Sequence, residues 1–296
     1  MMPQTSADRR DLILAVAVAR EAGTLVRDEF HREGGPRGHG GHAEIDAEAE
    51  ALIRRRLLEA RPGDGFLGEE TGSVDPPGDG RRRWIVDPND GTSAFLKGER
   101  GPSVSIALLV NDEPVVGVVY AYAAPDDHGD LIAGGVGLGL FRGPGDGPGD
   151  AADLPPLPTP ARSDTAAGPQ NPADLVAVSG SAHRTPERRA AYEELCSPWG
   201  IRPAPGVAYR LALAAAGDVR VAVTLTAPWS WDMAGGHALL RAAGGDLFAR
   251  DGTPVRYDAA GHCAYSPAYF GGTREDVERI RRRRWEPLFV ERPGRR

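Results

Sequence analysis

Cysteine is scarce in this 296-residue chain. Cys196 and Cys263 are the only two, and they form neither a CxxC pair nor zinc-ligand spacing. A disulfide-built scaffold and a cysteine zinc site are thereby excluded, and reduced thiols in a cytoplasmic setting are expected. Lysine is scarcer still. Of 35 basic side chains only Lys97 is a lysine, and with 39 glycines and 26 prolines this reflects GC-rich coding more than function. Basic charge is in deficit at a net −7, which argues against a nucleic-acid polymer as partner. A small anionic substrate stays open, because a bound cation can invert the local field. Long apolar runs are also missing. Leu12–Ala19 is far too short to span a bilayer, and the N-terminal "MMPQTSADRRD" lacks the apolar stretch of a secretory leader.

Hydrophobic residues make up 41% and charged residues 26%, enough apolar content for one large domain or two medium ones. The pattern predicts a helix over 8–30, capped by Ser6 or Asp8, and a Gly-rich loop over 31–42. A second helix carries Ile45, Ala49, Leu52, Ile53 and Leu57 on one stripe, stopped by Pro62-Gly63. A short strand, "GFLGEETG", and a longer one, "RRRWIVDPNDG", each run into acidic residues. A hairpin turns at Asn111-Asp112. Residues 143–172 are rich in Gly, Pro and Asp and read as a long surface loop. Beyond it come a strand, a helix capped by Thr185, a buried helix "AYRLALAAAGD", a strand "VRVAVTLT", a helix "SWDMAGGHALL" and a last helix ending in arginines. This order predicts two subdomains: an α+β part over 1–172 and an α/β part over 173–296.

In "WIVDPNDGTSAF", Pro88 holds Asp87 extended and Gly91 permits a tight turn, so Asp87 and Asp90 can face the same side. One reading is a surface turn in which Asp90 caps the next helix. The other is a pair of anions compensated by a hard divalent cation. Mg²⁺ commonly takes one or two carboxylates, and the Asn89 carbonyl lies between the two aspartates. Glu69-Glu70 at a strand end and Asp232 at a helix start each have a plain reading as solvated charge or helix cap. Three such sites make one acidic cluster the better account. Gly91-Thr92-Ser93 opens a short helix whose free N–H groups suit a phosphate, and metal with phosphate implies assisted phosphoryl hydrolysis.

"WIVDPNDGTSAFLK" resembles the first signature of the inositol monophosphatase-like, lithium-sensitive family of Mg²⁺-dependent phosphatases. "WDMAGGHALL" resembles the second, and "GEET" resembles the family's Glu-Glu strand, all in the family's order. "SGSAHRTPE" and "AAGGDLF" extend the likeness over nearly the whole chain. The resemblance implies a layered αβαβα sugar-phosphatase fold of two subdomains with the site between them, two or three Mg²⁺ per site, and a homodimer. It implies that Glu69, Asp87, Asp90, Asp232 and the Asn89 carbonyl bind the metals. Thr92 with Glu69 would orient and activate the attacking water, and Asp90 would share in catalysis. The N–H groups of Gly91, Thr92 and Ser93 would hold the phosphate. Glu70 would stand behind the ligands, and Asp46 matches an acid near a third, weak metal, although Glu44-Ile45 replaces the usual preceding threonine.

The substrate is less legible. Ser93-Ala94 stands where inositol enzymes usually carry Thr-Asn after D-G-T. "AVTLTAPWS" lacks the glutamate that binds sugar hydroxyls. Arg210, Thr224 and His183 are candidate substrate contacts, as is Thr226. Trp229 and Trp231 read as packing more than as a base-stacking platform. The expectation is a Mg²⁺-dependent phosphomonoesterase acting on a small polyol, cyclitol or sugar phosphate. The alternatives are a 3′(2′),5′-bisphosphate nucleotidase and a catalytically silent protein that binds or assembles.

Overall fold

The computed structural model describes residues 7–78, 80–146, 153–158 and 174–289. Its first helix, α1 (Arg9–Phe30), is capped by Asp8, whose carboxylate accepts from the Arg10 N–H at 2.8 Å. Within 31–42, expected as plain loop, β1 (Gly38–His39) and β2 (His42–Ala43) form a minimal hairpin leading into α2 (Glu44–Ala60).

Eight strands follow in one sheet: β3 (Gly65–Gly68), β4 (Gly72–Val74), β5 (Arg82–Asp90), β6 (Ser103–Val110), β7 (Glu113–Ala121), β8 (Asp130–Gly135), β9 (Gly139–Gly143) and β10 (Pro156–Leu157). They lie in the order β10-β9-β8-β7-β6-β5-β3-β4, antiparallel except for β3 beside β5. The β6–β7 turn has positive φ at both Asn111 (52°) and Asp112 (64°), the geometry of a two-residue hairpin. The helix α3 (Thr92–Phe95) leaves β5 through Gly91.

The second half builds β11 (Leu175–Ser179), α4 (Pro186–Cys196), β12 (Gly200–Ala204), α5 (Val207–Ala216), β13 (Val221–Thr224), α6 (Ser230–Ala242), β14 (Asp246–Ala249), β15 (Tyr269–Gly272) and α7 (Arg274–Arg281). Its five strands run β12-β11-β13-β15-β14. The last two were not anticipated from the pattern, nor was β12. Each is four or five residues long, too short for a clear period.

Alternation along the strands sorts the core into layers. Trp84, Val86, Ile106, Leu108, Val116 and Val118 face α1 and α2, packing on Val16, Ala19, Ile53 and Leu57. Ile85, Ala107, Leu109 and Val119 face the other way, onto α5 and α6. Those helices bury their far side against Ala177, Ala222 and Leu247 of the second sheet. Val176, Val178, Val221, Val223 and Phe270 then meet Tyr192, Cys196, Val277 and Ile280 of α4 and α7. The result is αβαβα. Every residue of α5 is buried, as a helix held between two sheets requires.

Residues 147–152 and 159–173 of the expected surface loop lie outside the described residues. The part between them is not featureless. Leu154 is buried in the α1 layer, and β10 pairs with β9 at the far edge of the large sheet. The composition concealed this, because one leucine and two residues of pairing leave no period.

Candidate active site

The bend that follows β5 is a bulge. Asp87 pairs with Ser105 and Asp90 with Ser103, so β5 advances three residues while β6 advances two. Pro88 sits in the irregular stretch, where a missing N–H does no harm. Gly91 then takes φ 103°, which a side chain would oppose, and starts α3. Asp87 and Asp90 are both buried.

Two helices from the second half arrive with their N-termini at the same place. Asp90 does not cap α3. Its Oδ2 accepts from the Ala208 N–H at 2.6 Å, at the start of α5. Asp232 is not an N-cap either. It lies one turn into α6, and its Oδ2 accepts from the Trp229 N–H at 2.7 Å. Helix N-termini carry partial positive charge, so α5 and α6 both favour acids here. The glycine pair after Asp232 sets the approach of α6. A Cβ on Gly235 would lie 2.5 Å from Ser105 Oγ, and one on Gly236 2.4 Å from Leu211 Cβ.

Asp87, Asp90 and Asp232 each place an oxygen within 4.8 Å of the others. They line a cavity of about 620 Å³ together with Glu69, Gly91, Thr92, Ser93 and Arg210. Asp87 Oδ1 accepts from the Asn89 N–H at 2.9 Å, while its buried Oδ2 has no hydrogen-bond partner. Burial, then the charges of Glu69, Asp90 and Asp232, push Asp87 well above the usual carboxylate range. Glu69 is pushed up to about 8, first by desolvation and then by Asp232, Glu70, Asp90 and Asp46. Glu69 is exposed as a residue although its carboxylate is crowded, and water reaching it screens part of that rise. Removing these charges from water is costly unless a positive partner joins them. An orphaned buried oxygen among convergent hard oxygen donors fits a divalent ion.

A model of the inositol monophosphatase family matches residues 8–285. The chain belongs to the inositol monophosphatase family. The inositol-1-monophosphatase ImpA of Mycolicibacterium smegmatis is 31% identical over 225 residues, covering 76% of this chain and 75% of that protein. A histidinol-phosphatase of Chlorobaculum parvum is 38% identical over 135 residues, 44% of this chain and 50% of that one. The solved extragenic suppressor protein suhB of Bartonella henselae superposes with a TM-score of 0.66 at 26% identity, covering 91% and 97% of the two chains. The fold is the layered one the resemblance implied. The chain is a phosphatase of a family that hydrolyses phosphate monoesters.

The remaining residues singled out in this family member divide by position. Asp46, buried in the first turn of α2, accepts from Asn89 Nδ2 at 2.9 Å and from Thr92 Oγ1 at 3.3 Å. Desolvation raises it to about 6; the Glu70 charge adds and the Asn89 amide opposes. Glu70 is half-buried, 3.9 Å from His42, and does not line the cavity. Its pKa is raised by desolvation, with His42 opposing and Glu50 adding. His183 and Thr226 line the cavity, with Lys97, Glu99 and Arg184 also on its wall. Thr224 does not line it. That hydroxyl is buried at 3.3 Å from Arg210 Nη2. Arg210 is buried too, its Nη1 donating to the Ala204 and Pro205 carbonyls at 2.7 and 2.8 Å. Burial lowers its pKa while Asp90 and Asp232 raise it, so the acids face a permanent cation that no local sequence pattern announced.

Glu50 went unnoticed in the sequence. Its carboxylate accepts from the N–H groups of Glu70 and Thr71 at 3.0 and 2.5 Å and so holds the turn that presents Glu69. The available signal was an acid at the buried position four residues after Asp46, on the apolar stripe of α2. Trp229 and Trp231 stack on each other at 5.2 Å and 18° and do not line the cavity.

Proposed function

We propose that this phosphatase is Mg²⁺-dependent and hydrolyses the phosphate ester of a small polyol, cyclitol or sugar. The observation that carries the reading is the convergence of Asp87, Asp90 and Asp232 within 4.8 Å, beside Glu69 on one cavity wall. Glu69, Asp87, Asp90, Asp232 and the Asn89 carbonyl hold two or three Mg²⁺. The bound ions supply Lewis-acid charge that draws electron density from the phosphate. The N–H groups of Gly91, Thr92 and Ser93 hold the phosphate oxygens, since the first N–H groups of a helix lack partners within it. Thr92 and Glu69 orient the water that attacks phosphorus as the ester P–O bond breaks, releasing alcohol and inorganic phosphate. Lys97, His183 and Arg184 on the cavity wall draw in the anion.

No Phe, Tyr or Trp side chain lines the cavity among the described residues, which favours a polyol over a nucleotide body. No helix among the described residues is long and apolar enough to cross a membrane. The working enzyme on this reading is a cytoplasmic homodimer, for which light scattering at micromolar concentration is the check. The activity test is a panel of inositol phosphate, sugar phosphates, histidinol phosphate and phosphoadenosine phosphate, with Mg²⁺, with chelator and with lithium. Mg²⁺-dependent turnover strongest on a polyol or sugar ester, and inhibited by millimolar-range lithium, is expected. Full turnover in chelator overturns the metal reading, and strict preference for the nucleotide overturns the substrate class.

A further inference from the structure

We infer that Tyr122 and the side chain of Asn89 are positioning residues which aim the Asp46 carboxylate at the Thr92 hydroxyl. The inference rests on the phosphatase reading above for the role of Thr92. Its geometry stands by itself. The Tyr122 O–H, just beyond β7, donates to Asn89 Oδ1 at 2.5 Å. Asn89 Nδ2, on the β5 bulge, donates to Asp46 Oδ1 at 2.9 Å. Asp46 Oδ2 is then 3.3 Å from Thr92 Oγ1.

The chain of bonds has one direction. An ionised carboxylate only accepts, so the Asn89 NH₂ faces Asp46 and its carbonyl faces Tyr122, whose phenol must donate. Packing does not require any of this. Tyr122 sits among the rings of Phe30, Phe95 and Tyr120, where phenylalanine would fill the same space. Phenylalanine at 122 with leucine at 89 would remove both members of the bond between these two side chains. What an apolar pair could not do is tie down one oxygen of Asp46 and leave the other toward Thr92. Without that tie the Thr92 hydroxyl keeps its alternative acceptor, the Asn89 carbonyl at 3.2 Å. Asn89 thus acts three ways: its N–H on Asp87, its side chain on Asp46, and its carbonyl toward Thr92.

The test is a double-mutant cycle of Asn89→Leu and Tyr122→Phe, assayed with saturating Mg²⁺ on the best phosphomonoester of the wild type. For Asn89→Leu, kcat is expected to fall at least about tenfold, the worth of one hydrogen bond to a charged group. Tyr122→Phe should cost less, roughly threefold, with KM nearly constant in both. The double variant should match Asn89→Leu to within about twofold, because Tyr122 acts through Asn89. Mg²⁺ affinity by calorimetry should be retained, since the backbone carbonyl is untouched. A crystal structure of Asn89→Leu should show the Asp46 carboxylate turned from Thr92. Unchanged kcat, multiplying single effects, a loss of Mg²⁺ affinity that accounts for the loss of rate, or an unmoved Asp46 each overturns the inference. Failure of the phosphatase reading looks different: the wild type hydrolyses no phosphomonoester, while the crystal structure still decides where Asp46 points.

Discussion

Asp87→Asn separates what the acidic cluster costs the fold from what it does. In metal-free protein, burial and the neighbouring charges of Glu69, Asp90 and Asp232 hold Asp87 well above its ordinary value of 3.8. Below about pH 3.8 both the folded and unfolded chains carry the proton, and there is no penalty. As pH rises, the unfolded chain releases its proton and the folded one keeps it. Stability then falls by about 1.4 kcal/mol per pH unit until the folded pKa is reached. At neutral pH the buried Asp87 is therefore a net cost to the metal-free fold. Asparagine has the same shape and no proton to hold. Its Oδ1 keeps the bond from the Asn89 N–H, and its amide falls where Oδ2 had no partner. Relieving one buried acceptor that has no partner is worth about 1–3 kcal/mol, roughly 2–5 °C in Tm for a chain of this size. The assay is thermal melting in chelator from pH 4 to 8, followed by Mg²⁺ titration. The variant should melt higher than the wild type at pH 7, and the advantage should vanish toward pH 4. Mg²⁺ should raise the wild-type Tm far more than that of the variant, whose turnover should drop by at least ~10²-fold. A variant no more stable than wild type in chelator, or equally stabilised by Mg²⁺, refutes the reasoning.

Glu50→Ala strands the N–H groups of Glu70 and Thr71, so stability should fall by about 1–3 kcal/mol and kcat with it; denaturant melts and steady-state kinetics check both. Gly236→Ala places a Cβ 2.4 Å from Leu211 Cβ and 3.1 Å from the Ala208 carbonyl, which forces α6 from α5; a loss of about 1–3 kcal/mol and weaker Mg²⁺ binding by calorimetry are expected. Leu154→Ala should cost about 2 kcal/mol yet leave kcat unchanged, because residues 153–158 lie at the sheet edge and line no part of the cavity. A fall in kcat there would give this segment a place in catalysis.

Most of the fold follows from local chemistry. Asp8 and Thr185 cap their helices as their positions predict, Asn111-Asp112 makes the hairpin turn, and the stripe of α2 buries Ile45, Ala49, Ile53 and Leu57. Pro88 and Gly91 fix the bend that brings Asp87 and Asp90 together, because both restrict or free the backbone within a few residues. Short strands escaped this reading, since four residues carry no reliable period. What lay wholly beyond local reading was the partner of each polar group. Asp90 meets an amide 118 residues away, Arg210 lies buried where the charges of Asp90 and Asp232 reach it, and Glu50 reaches a turn 20 residues on. A sequence states which groups are charged and how the nearby backbone bends. Burial, and with it the shift of Asp87 and the demand for a cation, exists only once two sheets close on α5 and α6 and remove the water.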